Sequence, residues 1–77
     1  MPFRPVHSEK LAAAVVRQIE ELILRGILRP GERLPAEREL SERLGVSRPS
    51  LREAVSDLQS RGLLSSRAGA GIFVTEA

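Results

Sequence analysis

The chain has 77 residues, 42% hydrophobic and 29% charged, with a net charge of +2 and no cysteine. That length carries one small domain around one core, and the missing cysteines exclude a disulfide framework and a thiolate metal site. No apolar run approaches the ~20 residues of a membrane span, and no charged start leads into the apolar stretch of a signal peptide.

Residues 1–7 include Pro2 and Pro5 and read as an extended N-terminal arm. Ser8 is the expected N-cap of a first helix, with Glu9 in its first turn. From Lys10 to Arg25 the pattern is helical: Leu11, Val15, Ile19 and Ile23 fall at i, i+4 steps, and Ala12, Val16 and Leu22 widen the face. Gly26 ends this helix. Ile27 to Glu32 forms a turn centred on Pro30-Gly31, and Arg33-Leu34 makes a very short strand. A second helix is expected from Glu37 to Leu44, with Ala36 as its N-cap. The run Ala36-Glu37-Arg38-Glu39 is a capping box whose serine or threonine is an alanine, a loss of ~1 kcal/mol of helix stability.

Gly45-Val46-Ser47 is the tight turn into a third helix, predicted from Arg48 to about Arg61 and closed by Gly62. Ser47 is a good N-cap, and Pro49 sits in the first turn, where a missing N–H costs nothing. Leu51, Ala54, Val55 and Leu58 form the apolar stripe that docks this helix on the core. Arg48 and Arg52, spaced i, i+4, project from one side and face outward. Beyond it, Leu63 to Ser66 and Ile72 to Thr75 are short strands, joined by the hairpin tip Arg67-Ala68-Gly69-Ala70-Gly71. Ile72 and Val74 are expected toward the core and Phe73 away from it. The order predicts a mainly α domain with a small β-hairpin: a winged helix-turn-helix of three helices and a two- to three-stranded wing, filling residues 8–77.

Charge is unevenly spread. Eleven of the twelve basic residues are arginine, the side chain suited to bidentate contact with phosphate and guanine. Residues 7–42 are near balance, whereas residues 43–75 hold Arg43, Arg48, Arg52, Arg61 and Arg67 against Glu53 and Asp57. The positive excess therefore falls where the third helix and wing lie. Glu53 and Asp57, further along that helix, would be repelled by a DNA backbone. The helix should therefore enter a groove by its first two turns.

Three spaced runs carry a family resemblance. They are Leu28 to Leu40 with its Pro-Ala-Glu-Arg-Glu core, Gly45 to Ala54 with Ser-Arg-Pro-Ser-Leu-Arg-Glu-Ala, and Gly62 to Val74 with the wing glycines Gly69 and Gly71. Together they resemble the DNA-binding domain of GntR-type bacterial transcription regulators, especially the branch responding to fatty acids, pyruvate and lactate. The resemblance covers residues 8–75. It implies sequence-specific binding of double-stranded DNA through Arg38, Ser47, Arg48, Pro49, Ser50, Arg52 and Gly69. Arg38 is implied at a base edge or phosphate, Arg48 and Arg52 at guanines and backbone in the major groove. Ser47 and Ser50 are implied at phosphates, and Gly69 at the close approach of the wing to the minor groove. Ala68 and Ala70 stand where such wings carry polar or basic residues, and Ile72 replaces the usual threonine, which implies weak base reading by the wing.

The resemblance also implies a cytoplasmic homodimer on a palindromic operator. Dimerisation and sensing of an effector, a small carboxylate in that branch, belong there to a C-terminal domain that would start where this chain stops. The expectation is a DNA-binding domain taken alone, without cofactor or metal. An enzyme is not expected, since His7 is the only histidine and lies in the arm, leaving no Ser/His/Asp or Cys/His set. The alternative is a winged helix used for protein–protein contact, which would expose an apolar patch instead of arginines and serines at the helix start.

Overall fold

The computed structural model describes residues 8–76, so the expected arm, residues 1–7, lies outside the described residues. Three helices are followed by a hairpin: α1 (Ser8–Leu24), α2 (Glu37–Leu44), α3 (Arg48–Ser60), β1 (Leu64–Arg67) and β2 (Gly71–Val74). The three predicted helices and both strands of the hairpin are present. α1 takes in Ser8, expected as its cap, and α3 ends one residue before Arg61.

The helices stop for one shared reason. After α1 the N–H of Gly26 bonds the carbonyl of Ile23, and that of Ile27 bonds Leu22. The same crossed pair recurs at Gly45 and Val46 after α2, and at Gly62 and Leu63 after α3. This is the Schellman closure, which needs a left-handed residue. Gly45, at φ 68°, supplies it within the three-residue connection between α2 and α3. A side chain there would be strained, and the angle between the two helices depends on it.

The N-termini differ. Ser47 caps α3 by accepting the Ser50 N–H at 3.2 Å, with Pro49 inside the first turn. α2 starts from Ala36 without any side-chain cap. Glu39, which a complete capping box would turn back to the cap, instead pairs with Arg43 at 2.8 Å.

The core is α3 laid chiefly against α1. Leu51, Ala54, Val55 and Leu58 of α3 are buried, as predicted, against Ala12, Val15, Val16 and Ile19. Leu34, Leu40, Leu64 and Val74 close the ends of this core. The stripe of α1 runs through Ala12 rather than Leu11, which is 44% exposed at its edge. Ile23 is half-buried.

β1 and β2 are antiparallel, with Leu64 opposite Val74 and Arg67 opposite Gly71. Pairing runs to the base of the tip, so each strand sits one residue nearer the turn than expected. The tip narrows to Ala68, Gly69 and Ala70, with the Ala70 N–H bonded to the Arg67 carbonyl. The predicted third strand reduces to one bridge, Arg33 to Phe73. It is nonetheless well tied, since Leu34 donates to Ile72 and Val74 donates to Glu32, both at 2.8 Å. Gln59 of α3 donates to Ser66 of β1 at 2.7 Å, fastening the wing to the helix.

The two caps generate opposite expectations. Ala36→Ser should raise stability by about 1 kcal/mol by supplying the missing acceptor, and Ser47→Ala should lower it by a similar amount. Urea midpoints at constant slope measure both; an unchanged or lowered midpoint for Ala36→Ser would contradict this account of α2.

Candidate nucleic-acid interface

The outward side of α3 begins at its cap. Ser47, Arg48, Pro49 and Arg52 are exposed, whereas Ser50 is 1% exposed. The Ser47 hydroxyl donates to the Ser50 Oγ at 3.0 Å while accepting the Ser50 N–H. Both hydroxyls are therefore engaged in the cap, and the implied phosphate contact at this end of α3 falls to the main-chain N–H groups of Ser47 and Arg48, since Pro49 has none and those of Ser50 and Leu51 are bonded to Ser47.

Arg48 and Arg52 converge on one carboxylate. The Arg48 Nε donates to Oε1 of Glu37 at 2.9 Å, and the Arg52 Nε donates to Oε2 of the same residue at 3.0 Å. Glu37 is the first residue of α2 and only 27% exposed, while the arginines are 53% and 63% exposed. Glu37 is next to Arg38 in the chain, yet the turn at Gly45 carries it across to α3. No local signal marks this pairing, since Glu37 and the two arginines lie 11 and 15 residues apart.

An arginine has five N–H donors in a rigid fork. A hydrogen bond through Nε fixes the plane of that fork and leaves the edge made by the two terminal nitrogens for another partner. Two guanidinium groups held this way, one turn apart on an exposed helix face, are arranged for planar acceptors such as guanine or phosphate. The pairing also moves the carboxyl group. The Arg52 hydrogen bond, with help from Arg48, holds Glu37 below the ordinary glutamate range, against the pull of its partial burial. Arg52 is correspondingly raised by Glu37.

The remaining implied residues are dispersed. Arg38 projects into solvent, 82% exposed, with a loose 3.6 Å pair to Glu42. Gly69 stands at the hairpin tip with φ 74° and open space where a side chain would be. Between α3 and the wing lies a cleft of about 530 Å³, lined by Glu37, Arg52, Gln59 and Ser66 with Arg33, Arg67 and the tip. Arg33 and Arg67, which line this cleft, did not stand out in the sequence because neither lies on α3. On the far half of α3, Asp57 is occupied by Arg61 at 2.8 Å, and Arg61 also reaches Glu20 of α1 at 3.7 Å. The acidic end of the helix is thus turned into the domain's own ion pairs.

Comparison with known proteins places this architecture. The profile of the bacterial regulatory proteins of the gntR family matches residues 11–74. The chain belongs to the GntR family. It is a DNA-binding domain of the GntR type, and its relatives are transcriptional regulators. It is 48% identical over 69 residues to a putative L-lactate dehydrogenase operon regulatory protein of Escherichia coli, covering 90% of this chain and 27% of that protein. It is 40% identical over 74 residues to an HTH-type transcriptional regulator of Mycobacterium tuberculosis, covering 96% of this chain and 31% of that one. The GntR domain described here thus spans under a third of these relatives. Among solved structures it is similar to the AraR DNA-binding domain in complex with an operator. That likeness has a TM-score of 0.81 at 36% identity and covers 97% of this chain and 89% of that one. A GntR family regulator from Listeria monocytogenes, at 23% identity and TM-score 0.83, shares the fold. No described helix is long and apolar enough to cross a membrane.

The clamp has a titration signature. Because the Glu37 pKa is lowered, its contribution is complete at neutral pH and is lost only as acid carries the pH down through the lowered value. A carboxyl-carbon NMR titration should show Arg52→Ala raising the Glu37 midpoint further than Arg48→Ala does. An unchanged midpoint in both variants would contradict the shared-carboxylate geometry, and equal shifts would contradict only the ranking of the two bonds.

Proposed function

We propose that this domain binds one half-site of a palindromic operator, with the first two turns of α3 in the major groove and the wing, residues 67–71, beside the minor groove. The observation that carries this reading is the exposed Arg48 and Arg52 pair, oriented by Glu37 at the capped start of a helix. Phosphate contact supplies affinity and base-edge contact supplies sequence preference. The main-chain N–H groups of Ser47 and Arg48 serve the former; Pro49 shapes that turn and packs close to the backbone. Arg48 and Arg52 serve the latter, at least one of them on guanine O6 and N7. Arg38, exposed on α2, adds a phosphate or a base edge, and Gly69 lets the wing tip come near. The crystallised complexes of AraR with an operator support the reading by likeness.

The same reading makes the domain a binding module and not a catalyst, acting in the cytoplasm where the chromosome is. The whole regulator would act as a homodimer, with dimer contacts and a small-carboxylate effector held by a further domain, as in the branch it resembles. The protein–protein alternative finds less support. Among the described residues the exposed large apolar side chains, Leu11, Leu24 and Ile27, lie on or just after α1 and not on α3 or the wing.

Selection of bound duplexes from a random-sequence pool tests this directly. The expected result is enrichment of a short palindrome. On that duplex, Arg48→Ala and Arg52→Ala should each lose about 5- to 150-fold in affinity for a single bidentate guanine contact, with the helical circular dichroism unchanged. Full affinity in either variant would remove that arginine from the interface, and a pool retained without enrichment would remove the sequence preference.

A further inference from the structure

Arg33, just before α2, and Arg67, at the base of the wing tip, lie outside the recognition helix, and neither has a contact of its own in the reading above. Arg33 is bridged to Phe73, and residues directly opposite each other share one face of a sheet. Ser65 is also opposite Phe73, and Arg67 follows on the same face by the two-residue period of a strand. The outward face of the small sheet thus carries Arg33, Phe73 and Arg67.

Each guanidinium has a seat. That of Arg67 lies over the Phe73 ring, 4.8 Å from its centroid. The Arg33 side chain crosses the backbone of Gly71, its Nε 2.8 Å from the position a Cβ would take. Any side chain at residue 71 would displace it. Neither arginine pairs with a carboxylate among the described residues, unlike Arg48 and Arg52. Both line the cleft beside α3 together with Arg52. Its one lining carboxylate, Glu37, is already shared by two arginines of α3. Like charges gathered in a cleft with so little compensation favour an anion there. A guanidinium seated against a backbone or ring has part of its ordering already in place for phosphate oxygens.

We infer that Arg33, seated by Gly71, is a further backbone-phosphate contact, which with Arg67 holds the DNA strand leaving α3 against the wing. This rests on the DNA-binding reading above and extends its footprint from the recognition helix to the short segment before α2. It assigns Gly71 a role distinct from that of Gly69: room for an arginine rather than room for DNA.

The test is a titration with a labelled random-sequence duplex at several salt concentrations, since a phosphate contact acts on every sequence. Wild type should show a linear fall of log affinity with log salt. Arg33→Ala should make that slope shallower by about 0.9, the release of one counterion contact on B-DNA. Arg33→Lys should restore most of the slope. Arg33→Gln, which keeps the stem over Gly71 without the charge, should behave like the alanine variant and guards against a purely structural effect. Arg17→Ala, on α1 outside the cleft lining, is the control. An unchanged slope in both Arg33→Ala and Arg33→Gln, or a slope lost equally in Arg33→Lys, would overturn the inference. A wild-type domain without salt-sensitive binding would instead overturn the DNA-binding reading itself.

Discussion

A single carboxylate shared by two guanidinium groups organises the functional face of this domain. Glu37 sits at the start of α2, Arg48 and Arg52 one turn apart at the start of α3, and two hydrogen bonds of 2.9 and 3.0 Å join them. Exposed ion pairs of this kind add little to stability, because side-chain ordering and solvent screening offset the attraction. What they do supply is orientation. A free arginine spreads over many rotamers, and fixing it on contact with a ligand costs entropy. Here part of that ordering is already present in the isolated domain, at a position where water still reaches the outer edge of each guanidinium.

Most of the fold can be understood as the means of keeping that arrangement in place. Ser47 and Ser50 fix the first turn of α3 from within. Leu51, Ala54, Val55 and Leu58 fix its roll by burying the opposite face against α1. Gly45 fixes its angle to α2 through a left-handed residue. The wing is then fastened to the same helix by Gln59 and Ser66, which sets the width of the cleft beside Arg52. A domain of this size has a small core, and its caps and closures carry a correspondingly large share of the specification.

Elements with a strong local cause could be read from the residues alone. Three glycines mark three helix ends, Ser47-Arg48-Pro49 marks a helix start, and the i, i+4 apolar steps mark the faces that pack. The family runs were equally plain, because they repeat those local signals in a fixed order. What was not legible depended on distance across the fold. Leu11 and Ala12 both fit a helical stripe, and only the position of α3 decides that Ala12 is buried. Ser50 looks like a surface hydroxyl until its neighbour's cap encloses it. Glu37 could have paired with Arg38 next to it; the turn between the helices sends it to α3. Arg33 comes to lie beside the wing only through a bridge to a strand forty residues later.

The central claim is that sequence preference comes from arginines oriented by Glu37, and not from positive charge alone. It is tested most directly by the ratio of affinities of a Glu37→Ala variant for a selected operator duplex and for a random-sequence duplex. Removing the carboxylate frees both arginines and adds net positive charge. The account predicts tighter binding to the random duplex, weaker binding to the selected one, and hence a collapse of the ratio. An unchanged ratio, with both affinities moving together, would mean that Glu37 only tunes charge and that the arginines find their bases without it.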